Sequence, residues 1–357
     1  DLQDVAENAL KSGLSKFGKS RGSVIILQPR TGDVLAMVSA PSFDNNLFAH
    51  GISADRYRAL AEDRNNPLFP RAIGGLLPPG STFKIIVASA ALEEKVAAAG
   101  TTVMSSGGIS VSRWFFPDWK AGGHGLTDVT KALAESVNTF FYIVGGGYQG
   151  FQGLGIDRIT AYAKRFGLGG VLGIDLPGEA AGFLPSEEWK QRVKGEQWYI
   201  GDTYHAAIGQ GDILVTPLQM AAVTAAVANR GALVRPRVVG AITTADGRRD
   251  VRDPEVINTQ AVSTEAIALV AKGMRRAVTD GSARSLGDLP AAIAAKTGTA
   301  QWATGKAPHA WFTSFAPYDK PEVVITIIVE EGEEGSRIGA QVAHEIYAWY
   351  FANRRKF

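Results

Sequence analysis

A chain of 357 residues, 45% hydrophobic and 20% charged, has the composition of an ordinary globular protein and length for a full core, with two domains expected from length alone. A net charge of +2, without a basic stripe interleaved with aromatics, leaves no case for nucleic acid as a partner. The absence of cysteine excludes disulfides, iron–sulfur clusters and thiol catalysis, and no apolar run approaches the roughly 18 residues of a membrane span.

The sequence opens on Asp1-Leu2-Gln3 with no signal peptide, as a processed product or an excised piece would, so any anchor or leading domain has been removed or never existed. Val5, Ala6, Ala9, Leu10, Leu14 and Phe17 recur at helical spacing and predict an amphipathic helix over residues 3–17. Strands follow at 23–28 and 33–39, joined by the turn Pro29-Arg30-Thr31-Gly32. Residues 41–79 read as irregular, with one short helix near 53–62. A largely buried helix begins at Ser81, in the cap position, and ends around 97–100. Residues 101–125 read as loops and a short hairpin. Thr127 caps a helix over 128–135, and a further helix holds Phe140–Tyr142. Helices are predicted at 156–166, closed by Gly167, and after the Thr216-Pro217 cap as far as Gly231. A hairpin over 233–243 and 248–251 turns at Asp246-Gly247, and a helix covers 263–278. The end is β-rich, with strands at 291–301, 310–318 and 323–330, a solvated acidic turn at 330–334, and an amphipathic helix over 337–353. Two strands at the front and three at the back predict an α/β protein of the α+β type. Its five-stranded antiparallel sheet is built from both chain ends and flanked by helices, with a helical region, about 41–290, inserted between strands.

The chemistry concentrates in Pro78-Pro79-Gly80-Ser81-Thr82-Phe83-Lys84. Lys84, three positions after Ser81, shares its face. An amine between Phe83 and Ile85 must snorkel to water, find an acid, or lose its proton. Taken alone, a capping serine with a snorkelling lysine is the simpler reading, since a Ser-x-x-Lys match arises about once by chance in such a chain. The other reading is a nucleophile with its base: burial lowers a lysine pKa, so a neutral amine can take the serine proton. Two further matches decide between them. Ser136-Val137-Asn138 sits at a turn between helices, and Lys296-Thr297-Gly298-Thr299 lies in a strand where small residues let a substrate backbone approach. A second Lys-Ser-Gly, at Lys11–Gly13, precedes the nucleophile inside the first helix and is treated as coincidence.

The trio in this order resembles the transpeptidase domain of class B penicillin-binding proteins, most closely the cell-elongation branch. The stretches IILQPRTGDVLAMVSAPS (25–42), LLPPGSTFK (76–84), IGQGDILVTPLQM (208–220), AAKTGTAQ (294–301) and HAWFTSFAPYD (309–319) extend the likeness over nearly the whole chain. The resemblance implies a single transpeptidase domain over 1–357 with the penicilloyl serine transferase, β-lactamase-like fold. It also implies a role for each residue. Ser81 attacks the carbonyl between the last two D-alanines of a peptidoglycan stem peptide, and Lys84 takes its proton. Ser136 relays a proton to the leaving amine, and Asn138 orients the acyl chain. Lys296 supplies positive potential, Thr297 and Thr299 offer hydroxyls to the terminal carboxylate, and Gly298 belongs to the same substrate strand. The N–H groups of Ser81 and Thr299 form the oxyanion hole, β-lactams acylate Ser81, and no cofactor is implied. The expected partner is a polytopic glycosyltransferase met through an N-terminal anchor and pedestal outside this sequence, on the periplasmic face of the inner membrane.

Some relatives resemble a metal site around Asp118 and His124, but with no cysteine and with Val137 beside Ser136 the expectation is no metal. Trp114, Trp119 and Trp302 are expected to pack more than to line the groove, and His205 and His309 to be structural. The alternatives are a β-lactamase, a D,D-carboxypeptidase, and a silent penicillin-sensing scaffold. Glu179, Glu187, Glu188 and Glu196 show no Glu-x-x-x-Asn spacing for a lactamase's deacylating base.

Overall fold

The apolar runs at the two ends of the chain meet in one sheet. The computed structural model describes residues 1–353 and pairs β1 (Gly22–Leu27), β2 (Val34–Ala40), β3 (Ala294–Ala300), β4 (His309–Ala316) and β5 (Val323–Val329). The order is β3-β4-β5-β1-β2, antiparallel throughout, with Gly22 opposite Val329 and Lys296 opposite Thr313. β1, β4 and β5 are buried at every position, as central strands covered on both faces must be, whereas β2 alternates at the edge. Strand β3 forms the other edge and carries Lys296 to Thr299.

The helices that cover the sheet and frame the site include α1 (Leu2–Lys16), α2 (Lys84–Glu93), α3 (Val129–Glu135), α4 (Asn138–Gly146), α5 (Pro217–Ala228), α6 (Thr264–Thr279) and α7 (Ile338–Asn353). Leu10 of α1 and Val342 and Ile346 of α7 share one core with Val24, Ile26, Phe312 and Ile327 of the sheet. The upstream Lys11-Ser12-Gly13 has its explanation here. A Cβ at Gly13 would lie 2.7 Å from Val342 Cγ2, so this glycine serves helix contact. On the opposite face, α2 to α6 share a core with Ile25, Leu27, Trp311 and Ile328. Helices α2 and α5 are apolar all round because both run through it.

Several local expectations change. The helix expected from Ser81 opens as a 3-10 turn, Gly80–Phe83, and its α portion ends at Glu93, where Lys95 turns into positive φ. Ser81 makes no capping bond. Asp128, not Thr127, caps α3 by accepting Lys131 N–H, because the Thr127 hydroxyl is spent on Gly125 O. Leu233–Val234 pairs with Val256–Asn258, leaving Ala241–Thr243 and Arg249–Val251 as the hairpin around Asp246-Gly247. Trp114 and Trp119 stand more than 60% exposed, outside the core, whereas Trp302, 44% exposed, packs by stacking on His309.

The acidic turn is not simply solvated. Glu330 binds Arg71 at 2.9 Å and Arg21 at 3.1 Å, and Arg71, 4% exposed, also donates to Asn65 O and Asn66 O. This pair ties the irregular stretch before Ser81 to the end of β5. Removing one partner of a buried pair strands the other, so Glu330→Ala is expected to cost about 3 kcal/mol, read as a lower midpoint in urea unfolding. A midpoint like that of the unmodified chain would show that the two carbonyls alone satisfy Arg71.

Candidate active site

The turn that presents Ser81 is built from long-range contacts. Trp311 Nε1 donates to Pro78 O at 2.8 Å, and Gly80 N–H to Gly209 O at 2.8 Å. Gly80 adopts φ +53°, and a Cβ there would lie 2.7 Å from Thr299 O, so only glycine lets the turn sit against β3. Gly298 plays the matching part on the strand: a Cβ would meet Trp311 Cβ at 2.9 Å and Thr82 Cγ2 at 3.1 Å. The close approach that this glycine permits is made by the serine's own turn. Ser81 is half-buried, and among the described residues its hydroxyl has no hydrogen-bond partner.

Lys84 begins α2 and is completely buried. Its Nζ lies 2.8 Å from Ser136 O, 2.6 Å from Asn138 Oδ1 and 3.3 Å from Ser136 Oγ. No carboxylate is bonded to it. Burial drags the amine from 10.5 down to about 7, against the opposing pull of the Asp118 charge. A neutral amine has two N–H donors and one lone pair. Ser136 O and Asn138 Oδ1 take the two donors, which leaves the lone pair free for a hydroxyl proton.

Ser136 closes α3 in the left-handed region, φ 59° and ψ 42°. That conformation costs a serine on the order of 1 kcal/mol and persists where surroundings impose it. Here it turns the Ser136 carbonyl onto Lys84 and its hydroxyl onto Lys296 Nζ, at 2.9 Å. Lys296 is likewise completely buried and donates to Thr297 O at 2.8 Å. Burial, reinforced by the charge of Lys84, holds its amine well below the ordinary lysine value. The Ser136 hydroxyl is thus a bridge between two buried amines.

Along β3, side chains alternate, so Lys296 and Gly298 share one face and Thr297 and Thr299 the other. Thr297 does not offer a free proton, since its Oγ1 donates to Ser282 Oγ at 2.8 Å. Thr299 is the exposed member. Ser282 escaped the sequence reading because nothing local marks it. It reaches Thr297 because its backbone N–H is anchored on Ala134 O, 3.0 Å away.

Asp118 and His124 lie side by side, and Glu135 joins them from the end of α3. Glu135 Oε2 occupies His124 Nδ1 at 2.6 Å, Val137 has no donor, and His124 Nε2 is buried without a bond, 3.7 Å from Asp118 Oδ1. Among the described residues, no three His, Asp or Glu side chains are grouped to hold an ion.

A serine on a short turn before a buried helix, beside a lysine and the edge of a five-stranded antiparallel sheet, is the arrangement of the penicilloyl serine transferases. The chain belongs to the penicillin-binding protein transpeptidase domain family, which matches residues 22–348. It is 38% identical over 356 residues to the peptidoglycan D,D-transpeptidase MrdA of Haemophilus influenzae, covering 94% of this chain and 53% of the relative. It spans about half the length of the curated relatives it matches. Among solved structures, Helicobacter pylori PBP2 in complex with MreC is 31% identical with a TM-score of 0.83, over 97% of this chain and 62% of that one. An imipenem acyl-enzyme of Mycobacterium tuberculosis penicillin-binding protein A is 28% identical with a TM-score of 0.81, over 97% and 76%.

Proposed function

We propose that residues 1–357 form the acyl-transfer unit of a peptidoglycan D,D-transpeptidase that β-lactams inactivate at Ser81. The observation that carries this is Lys84. It is a fully buried amine whose N–H groups are already matched, three residues after a hydroxyl with no partner of its own.

The proton of Ser81 Oγ passes to the Lys84 lone pair as the oxygen bonds to the carbonyl of the penultimate D-alanine. The oxyanion lies between the N–H groups of Ser81 and Thr299, each donor contributing on the order of 3 kcal/mol in the transition state. The N–H of Ser81, in the first turn of its 3-10 segment, has no partner within the helix, which leaves it available. The C–N bond then breaks, and the proton returns from Lys84 through the Ser136 hydroxyl to the leaving D-alanine amine. Asn138 Nδ2 steadies the acyl chain while its Oδ1 holds Lys84. The substrate's terminal carboxylate favours the charged form of Lys296, which burial alone disfavours, and the open Thr299 hydroxyl completes that end. An amine of a second stem peptide attacks the ester and gives its proton to Lys84, which passes it to Ser81 Oγ as the ester C–O bond breaks, leaving a cross-link and the free enzyme.

A β-lactamase needs a base aimed at water on the ester. Glu179 is instead spent on the N–H groups of Leu172, Gly173 and Ile174. The assembly partners follow the same proposal. A relative is found with MreC, and the family resemblance implies a polytopic glycosyltransferase for the longer protein, working outside the cytoplasmic membrane where peptidoglycan lies. Among the described residues no helix is long and apolar enough to cross a membrane.

The test is intact-mass analysis after incubation with benzylpenicillin, followed by peptide mapping. The expected result is one penicilloyl group on Ser81, retained for many minutes. Loss of the adduct within seconds would favour a lactamase, and a chain that never gains it would favour a silent scaffold.

A further inference from the structure

We propose that Asp118 is a positioning residue of the Ser81 site, its buried carboxylate fixing the start of α4 and with it Asn138 and Lys84. This rests on the acyl-transfer reading above. The Asp118 side chain is fully buried and accepts five hydrogen bonds. Oδ1 takes Asn138 N–H at 3.0 Å and Trp119 N–H at 2.9 Å. Oδ2 takes Thr139 N–H at 2.9 Å, Thr139 Oγ1 at 2.6 Å and Ser105 Oγ at 3.2 Å.

The reason lies in how α4 begins. Its N-cap position is Val137, whose side chain has no acceptor to offer, so the first-turn N–H groups of the helix need one from elsewhere. Asp118, remote in the chain, takes that place, and a negative charge suits a helix N-terminus. Because the same carboxylate grips the N–H groups of both Asn138 and Thr139, it sets where Asn138 Oδ1 meets Lys84 Nζ.

The surrounding groups leave Asp118 as the negative charge of the site. Burial pushes its carboxyl up, but the Thr139 hydroxyl, the N–H groups of Thr139 and Asn138, and the charge of Lys84 more than offset this, keeping it below the usual carboxylate range. His124 faces it across 3.7 Å with its other nitrogen on Glu135. Tyr142 Oη donates to Pro117 O, and its phenol is pushed up by burial and by Asp118. Around Lys84 stand Lys296, across the Ser136 hydroxyl, and the Phe141 ring at 5.3 Å.

The experiment measures acylation by a chromogenic β-lactam against pH for the unmodified chain, Asp118→Asn and Thr139→Val, with thermal unfolding of each. Asp118→Asn keeps the shape, removes the charge and turns an amide nitrogen toward N–H donors. It is expected to slow acylation about tenfold to a hundredfold and to move the ascending limb of the pH profile to lower pH. Thr139→Val removes one donor but keeps the charge, and is expected to slow acylation about threefold to tenfold with the limb unmoved. An unaltered rate in Asp118→Asn, or a slowed one whose limb stays in place, overturns the proposal. Should Asp118→Asn fail to fold, Thr139→Val decides: a slowed rate supports the assignment and an unaltered one overturns it. An unmodified chain that takes no label overturns the acyl-transfer reading, and this assignment with it.

Discussion

Ser81→Ala is expected to end covalent labelling by penicillin, a loss of about six orders of magnitude in acylation rate by comparison with nucleophile removal in serine proteases. The fold should survive. The Ser81 hydroxyl bonds to nothing among the described residues and does not cap its helix, so stability should change by no more than about 0.5 kcal/mol. Fluorescent-penicillin labelling and a thermal melt measure both quantities. Label retained at the original rate would move the nucleophile elsewhere, with Ser136, between the two lysines, the next hydroxyl to map.

Lys84→Met is expected to slow acylation on the order of a thousandfold, within the range for loss of a general base. The unmodified chain should acylate faster as pH rises through about 7, because the neutral amine is the working form. In Lys84→Met that limb should vanish. A linked effect appears in stability. The amine's value in the folded chain lies below its ordinary 10.5, so between about 7 and 10.5 the unfolded chain binds more protons than the folded one. Stability therefore rises with pH across that window, and the rise should be shallower in Lys84→Met. Calorimetric scans at several pH values measure the two slopes. Equal slopes together with a surviving limb would show that Lys84 is not the group that titrates.

Much of the architecture follows from short-range pattern. The front hairpin, the three closing strands and the Thr216-Pro217 cap were legible because their periodicity and turn residues act within a few positions. The Thr216 cap even gains a reciprocal bond from Gln219. Local reading failed where a distant group supplied the decisive partner. Glu330 left solvent for Arg71, and the Thr297 hydroxyl gained Ser282 as its partner. Asp118 drew notice only as a metal candidate, since nothing near it in the chain reveals that it caps a helix starting at Asn138.

The amino-acid order alone determined the three short motifs, the strands and helices that carry them, and so the family. Tertiary structure alone decided the state of the chemistry. Lys84 meets Ser136 and Asn138, Lys296 meets Ser136, and Asp118 sits close enough to bias Lys84. The physical reason is range. Backbone periodicity and turns are settled by neighbours along the chain, whereas a buried amine's proton affinity depends on desolvation and on charges brought near it only when the core closes.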